Sequence, residues 1–521
     1  MRWRRTSGLV LGGIAALLVL VVVTGIIVMR TGWFRDTARD RIERALADAT
    51  GGQVEIGEFH FDWQRLRVEI RNLVIRGLEK PPEPPLFRAR LVRIDLRLFT
   101  ALRRPVDIAA LLVDEPQANV IVYENGGTNI PPRAVKEPVP ERTALETIVD
   151  LAAGEFALTN GSLRFGERRV PLNVHGRNLR ARLDYVPSMP GYKGQVAMAP
   201  IAVASGARQP VDVSLSVPLA LERDRIRFEN AVVSTPGSRL TLTGAVTNLR
   251  DAVLDAHVRG HVSLAEAERA GGLNIRASGD VPSVLQADLN LHAGGERIRL
   301  SAAHLRLGAS TIRAEGTLRD ASQPAGLDFT GTVELGELGR LLRLPLDPAG
   351  VADVSGRAAL ENGQYSVRAA VDARRLAFTL ASDRFTNVTL VSTVRLDPRR
   401  LELTGTHARI LGGAFTGRAT IDEWDRFEAA GRIAGFDVKL LAATFADLDV
   451  PWGGTLSGPV EVRGDFDAPT DLTARSNLTV SPAPDRGIPM RGRLDPSYDG
   501  SADTLRFAQS WVALPDRKSV V

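Results

Sequence analysis

The chain has 521 residues, with 66 Lys or Arg against 61 Asp or Glu, and a formal net charge of +5. The basic residues are spread along the whole chain, which excludes the basic stripe typical of nucleic-acid-binding proteins. Cysteine is absent. Its absence excludes disulfide bonds, thiolate metal sites and cysteine nucleophiles, and it is compatible with an oxidising compartment outside the cytoplasm.

An apolar run without a charged residue extends from Gly8 to Met29. A bilayer span needs about 20 apolar residues, whereas the core of a signal peptide has about 7 to 15. The segment after the run lacks the small residues of a cleavage site. The length and the missing cleavage pattern therefore favour a retained transmembrane anchor over a cleaved signal peptide.

The charges that flank this run predict its orientation. Arg2, Arg4 and Arg5 precede it without an acidic residue, whereas both signs are mixed after it. The positive-inside rule then places the N-terminus in the cytoplasm and the body of the chain on the other side. Trp3 and Trp33 bracket the run, and we expect them at the two membrane interfaces.

A helix with one apolar stripe is predicted after the anchor. Its apolar residues recur every three to four positions, and Gly51-Gly52 ends it; they are Phe34, Ala38, Ile42, Leu46 and Ala49. We expect this helix to cap the first strands of the body. The alternative is that it lies flat on the bilayer surface, where its basic residues would suit anionic headgroups.

Most of the remaining chain alternates between apolar and polar residues, as strands with one buried face do. In residues 92–98, for example, Val92, Ile94 and Leu96 alternate with charged residues. Two further strands are predicted around Pro116, followed by a turn at residues 124–127. A Pro-rich stretch from Pro131 to Pro140 reads as an exposed connection.

The body then repeats a fixed order of features. Strand-Gly-strand patterns occur around Gly244, Gly316 and Gly417. About fifteen residues later, at Gly260, Gly331 and Gly431, each pattern is followed by a strand that runs into a short predicted helix. Units of about 70 to 100 residues in this order favour a stacked array of repeats over a closed globule.

The predicted organisation has seven segments. They are the cytoplasmic tip and anchor (1–30), the capping helix and first β unit (31–130), the linker (131–147), a second β unit (148–237), and three β repeats (238–309, 310–412 and 413–521).

Three blocks resemble the AsmA-like superfamily, bacterial inner-membrane proteins that include TamB. The first is 111–131, with an acid-Pro break, a Gly turn and Asn129; the second is 148–183, with Gly161 and Asn178-Leu179; the third is 411–421, LGGAFTGRATI. The resemblance implies a mostly β fold, with an N-terminal transmembrane helix followed by an elongated repeating groove of curled antiparallel sheet and a few short helices.

The resemblance also implies a function, namely carriage of phospholipid along the groove from the inner toward the outer membrane. The implied location is the bacterial inner membrane, single-pass, with the body in the periplasm. The alternative that it implies is a periplasmic scaffold for outer-membrane β-barrel assembly, with a β-barrel partner. The chain ends mid-pattern, so we expect it to be truncated relative to TamB-like members.

Physical reasoning leaves two geometries open for a sheet with one apolar face. The sheet can fold on itself as a sandwich, or it can curl into a trough with an apolar lining. For the trough we expect Ile94, Leu96, Leu242 and Leu403 to line it, because each lies centrally in an alternating run. In a sandwich the same residues would fill the core.

Residues for enzymatic chemistry do not assemble into a pattern, and we expect neither catalytic activity nor a cofactor. His257 and His261 lie four residues apart but lack a companion carboxylate, which favours surface histidines over a metal site. The acidic pairs Asp447/Asp449 and Asp465/Asp467 precede prolines, where Asp commonly caps backbone amides in a turn. Glycine-rich nucleotide-binding motifs and the serine-nucleophile elbow are also missing from the sequence.

Overall fold

The structure is a computed structural model. It describes residues 32–98, 106–132, 149, 152–168, 172–205, 210–249, 251–271, 283–295, 297–319, 325–342, 347–361, 364–380, 383–466 and 468–514. The described chain is mostly β, with short helices, which confirms the predicted fold class at this level. It forms two compact units, Met1–Ala252 and Val253–Val521.

Within its described residues, the N-terminal unit has one helix and eleven strands. In chain order they are α1 (Gly32–Thr50), β1 (Gln53–Asp62), β2 (Arg67–Arg76), β3 (Phe87–Leu98), β4 (Val106–Asp114), β5 (Gln117–Val122), β6 (Glu155–Glu167), β7 (Leu172–Val186), β8 (Gly191–Ser205), β9 (Val211–Leu221), β10 (Arg225–Ser234) and β11 (Arg239–Thr247).

In the described part of the C-terminal unit there are three short helices and nineteen strands, with two 3-10 turns. In chain order they are β12 (Val253–Ser263), α2 (Leu264–Gly271), β13 (Val284–Gly294), β14 (Arg297–Leu307), β15 (Ser310–Arg319), β16 (Gly326–Glu334), α3 (Leu335–Leu342), β17 (Ala349–Glu361), β18 (Gln364–Leu380), β19 (Asp383–Leu396), β20 (Arg400–Ile410), β21 (Gly413–Asp422), β22 (Arg426–Asp437), α4 (Val438–Ala446), β23 (Trp452–Asp465), β24 (Thr473–Ser476), β25 (Leu478–Pro482), β26 (Ile488–Pro489), β27 (Arg491–Leu494), β28 (Pro496–Asp499), β29 (Thr504–Phe507) and β30 (Trp511–Ala513).

Helix α1 caps the first strands, as predicted. Its apolar residues Ile42 and Leu46 pack against a buried cluster that includes Ile56, Ile70 and Leu73. The carboxylate of Glu43 also accepts a hydrogen bond of 2.9 Å from the backbone amide of Ile56. Through Ile42 and Leu46, part of the predicted apolar stripe therefore packs on the sheet.

The predicted break at Pro116 divides one long strand into β4 and β5. Both halves pair antiparallel with β3 on one side. On the other side both pair in parallel with β6, which begins after the Pro-rich connection. The sheet of the N-terminal unit therefore continues directly from the first predicted β unit into the second, without an interruption at the linker.

The predicted short helices are present as α2, α3 and α4. Each follows a strand that contains one of the glycines Gly260, Gly331 and Gly431. At the start of α4, Asp437 accepts a hydrogen bond from the amide of Lys439, and Asp447 ends the helix in a left-handed conformation. The finer division into repeats, with the boundaries given above, stays a prediction.

Among the described residues, no helix combines the length and apolarity needed to cross a membrane. The apolar run from Gly8 to Met29 and the residue Trp3 lie outside the described residues. Trp33 belongs to the first turn of α1. The predicted anchor and its interface residues therefore stay predictions.

Candidate apolar binding face

In the N-terminal unit, strand register aligns one apolar position from each of ten strands. We call this line the N-terminal row: Phe61, Val68, Ile94, Leu111, Phe156, Leu183, Gly194, Leu219, Phe228 and Gly244. Neighbouring positions in a sheet register point to the same face. The row is therefore an apolar stripe perpendicular to the strands. It continues without a polar residue from β4 to β6, which lie before and after the Pro-rich connection in the sequence.

The C-terminal unit has a corresponding line across thirteen strands. We call it the C-terminal row: Ala303, Ala314, Phe329, Gly356, Ala369, Val394, Leu403, Ala419, Ala429, Val462, Ala474, Tyr498 and Leu505. Alanine and glycine occupy most positions. The stripe is therefore shallow, with Phe329, Leu403, Tyr498 and Leu505 as the larger side chains.

Burial along these rows is incomplete. In the N-terminal row Leu183 and Phe228 are buried, but six other side chains are half-buried: Phe61, Val68, Ile94, Leu111, Phe156 and Leu219. A sheet face inside a filled sandwich core would bury nearly all of these side chains. The partial burial therefore favours an open apolar face over the sandwich.

Clusters of buried apolar residues form where a helix or the segment at Val149 packs on the sheet. In the N-terminal unit, Val149 packs with Leu183, Tyr192 and Leu221. Burial raises the pKa of Tyr192, whose hydroxyl hydrogen-bonds to the backbone of Ala153. In this unit the covers at α1 and Val149 close part of the apolar face and leave the half-buried part open.

The C-terminal unit has the same arrangement. Leu335 of α3 packs against the cluster around Ala352 and Leu376. Val438 and Leu441 of α4 pack against the cluster around Phe436 and Leu456. Helices α3 and α4 thus each cover part of the sheet locally.

The four predicted lining residues lie on these faces. Ile94 belongs to the N-terminal row, and Leu96 lies two residues further along β3, opposite Ile108. Leu242 on β11 lies opposite Ala231, and Leu403 belongs to the C-terminal row. All four are half-buried. Their role as lining residues stays a prediction.

Single residues in the left-handed conformation bend the strands, and sequence reasoning did not detect them. Asn72, Asn160, Asn178, Asn230 and Asn387 have φ between 54° and 56°. At each of them the apolar alternation shifts by one residue, as from Leu158 to Gly161 around Asn160. The bulge keeps both halves of a strand apolar on the same face. The missed signal is an Asn between apolar residues spaced three apart.

The opposite face is polar and carries ion pairs. Arg67 and Asp95 lie 2.5 Å apart, and this hydrogen bond raises the pKa of Arg67. A shallow cleft of about 310 Å³ on this face is lined by polar and charged residues: Glu58, His60, Asp62, Arg65, Arg67, Glu69 and Arg71. The carboxylates and guanidinium groups of this cleft largely compensate one another.

Of the histidine and aspartate pairs singled out in the sequence, His257 and Asp465 have ordinary partners, and Asp467 lies outside the described residues. His257 contacts Asn290 at 2.9 Å and Asp288 at 3.3 Å on the polar face. Asp465 accepts a hydrogen bond of 3.3 Å from the amide of Ala468, as a turn cap does. Within the described parts of the chain, no group of three or more His, Cys, Asp or Glu residues could hold a metal ion.

Comparison with models of known protein families, with curated proteins and with solved structures finds no match for this chain. The class that the structure itself defines is a mostly β protein of repeated bent strands with one open apolar face in each unit. The resemblance to the AsmA-like superfamily stays a prediction.

Proposed function

We propose that this protein carries phospholipid along its apolar faces from the inner toward the outer membrane, anchored in the inner membrane by its N-terminal run with its body in the periplasm. The observation that carries the proposal is the N-terminal row, an apolar stripe across ten paired strands whose large side chains are mostly half-buried. A soluble protein rarely leaves such a stripe uncovered unless it has an apolar occupant.

A phospholipid matches an open apolar face of this kind, because it combines apolar chains with a polar headgroup. Acyl chains would lie on the apolar rows, where each CH₂ kept from water contributes about 0.8 kcal/mol. The headgroups would stay in water at the open side. A stripe of aliphatic and alanine side chains presents few specific contacts, so an acyl chain could move along it without binding tightly at any one position.

A charge on the stripe tests this proposal. Leu242→Arg places a guanidinium on the apolar face of β11, whereas Thr241→Arg places the same group on the opposite face of the same strand. We expect the first variant to block phospholipid transfer from donor to acceptor vesicles by the full chain. The second variant should transfer lipid normally. Protease resistance of both variants checks that they fold, and normal transfer by a folded Leu242→Arg chain would refute the proposal.

A second function, a scaffold for outer-membrane β-barrel assembly, is favoured by one observation. Strand β29 pairs with β28 on one side, and its Leu505 and Phe507 are 56% and 57% exposed. Such a strand could bind a client strand by β-augmentation. If this is the function, Phe507→Arg should abolish capture of unfolded barrel protein and leave lipid transfer unchanged.

A further inference from the structure

Three arginines lie side by side on the polar face of the C-terminal unit. Strand register places Arg357 of β17 opposite Arg368 of β18, and Arg368 opposite Arg395 of β19. Neighbouring strands are about 4.8 Å apart, and like charges directly opposite each other destabilise a sheet. The register therefore holds three positive charges in one line across adjacent strands.

The two outer arginines have acidic partners, whereas the described residues supply none to the central one. Arg357 contacts Asp328 at 3.4 Å, and Arg395 contacts Glu402 at 3.3 Å. Both acidic residues lie on the far side of their arginine, away from β18. Arg368 is exposed and, within the described residues, has no acidic partner.

The surroundings of Arg368 leave its guanidinium accessible. The neighbouring position on the same face of β18 is Ala370, which pairs with Ser355 and Thr393. These residues are short, so they do not cover the arginine, and the two hydroxyls can donate hydrogen bonds. The guanidinium of Arg357 extends over Gly326 of β16, on the side away from Arg368. A Cβ at position 326 would stand 2.7 Å from this guanidinium, so a larger residue there would displace Arg357.

We propose that Arg368, with Arg357 and Arg395 beside it, binds a phosphoryl group. A guanidinium presents paired donors that match two phosphate oxygens, and such charge-assisted bonds are among the strongest hydrogen bonds in proteins. A bound dianion would relieve the repulsion in the line of arginines. This site lies on the face opposite the apolar rows, so it is independent of the proposed lipid path.

The first test is titration of the full chain, in neutral detergent, with inorganic phosphate at constant ionic strength. Arg368→Gln removes the central charge, and Arg409→Gln is the matched control. Arg409 is exposed on the same face of β20, but it lies between Thr389 and Ala414. We expect saturable binding by the wild type and the control, and about tenfold weaker binding by Arg368→Gln. Equal affinity in all three chains, or no saturable binding, would overturn the proposal.

A second arm distinguishes free phosphate from a lipid headgroup. The same chains are sedimented with vesicles of phosphatidylcholine, with or without phosphatidic acid. Association that requires both phosphatidic acid and Arg368 would assign the site to a headgroup, whereas phosphate binding without this preference would assign it to a soluble phosphate.

Thermal melting tests the premise of repulsion. Without phosphate, the melting temperature of Arg368→Gln should equal or exceed that of the wild type. Added phosphate should raise the melting temperature of the wild type more than that of the variant. A lower melting temperature for the variant without phosphate would contradict the premise.

Discussion

The side-chain amide of Asn129 donates a hydrogen bond of 2.8 Å to the backbone carbonyl of Asn119. Its side-chain oxygen accepts one of 2.9 Å from the amide of Ile121, and its backbone carbonyl accepts one from Leu78. Asn129 is fully buried. One side chain therefore joins the turn after β5 to the strand itself, in the block that carries the resemblance.

Replacing this residue should loosen the hairpin around it. Asn129→Leu keeps the branching of the side chain, although leucine is larger, and it leaves a buried donor and a buried acceptor without partners, each costing about 1–3 kcal/mol. We expect the amide of Ile121 to exchange its hydrogen much faster. The control, Asn125→Ala, removes an exposed turn contact to Gly127 and should have a smaller effect. Slow exchange at Ile121 in the Leu variant would show that the network is dispensable.

At Arg375 we expect a substitution to valine to destabilise the protein, although valine usually favours strands. Arg375 has φ 57° at the bulge where the alternation on β18 passes from Ala373 to Leu376. Valine normally favours strands, but the left-handed conformation costs a side chain with a Cβ about 1–2 kcal/mol, and a β-branched one more. Arg375→Val should therefore destabilise the C-terminal unit in urea, and Arg375→Gly should be tolerated.

The neighbouring residue supplies the control for this experiment. Arg374 pairs with the exposed carboxylate of Asp372 at 2.9 Å, and an exposed pair contributes about 0–1 kcal/mol. We expect Arg374→Val to cost less than Arg375→Val. The reverse order would mean that the bulge does not fix the backbone at Arg375.

The carboxyl group of Asp114 should make the stability of the N-terminal unit depend on pH. A hydrogen bond of 2.7 Å from the hydroxyl of Thr159, followed by one from Arg90, lowers the pKa of this carboxyl below its ordinary value. A lowered pKa means that the folded state favours the carboxylate. The stabilisation is therefore present at neutral pH and is lost as the pH falls below about 4.

Urea unfolding between neutral pH and about pH 3 checks this dependence. Asp114→Asn should be less stable than the wild type at neutral pH, and the difference should narrow as the pH falls. A constant difference would mean that the charge on Asp114 contributes nothing and that packing or hydrogen bonding explains the loss.

The alternation of residues assigned Ile94 and Leu403 each to the apolar face of its own strand, because side-chain direction in a strand depends on local spacing. The capping role of Ile42 and Leu46 followed from helical spacing in the same way. The parallel pairing of β4 and β5 with β6 was not predictable, since it depends on the return of the chain after a long connection. The line of arginines at Arg368 was equally hidden, because register between strands is set by the bulges and turns together.

The half-buried rows are the central feature of this account, and lipid contact with them can be mapped directly. Ile94 and Leu403 lie in the two rows, and their neighbours Arg93 and Thr404 face the opposite side of the same strands. A photo-reactive amino acid at each of these positions reports what contacts it in the cell. Each pair compares the two faces of one strand at adjacent residues.

Position-specific photo-crosslinking of the full chain in bacterial cells is therefore the most direct test. We predict phospholipid adducts at positions 94 and 403, and few or none at positions 93 and 404. Adducts of equal yield at both faces, or no lipid adduct in either row, would contradict an apolar lipid path along this protein.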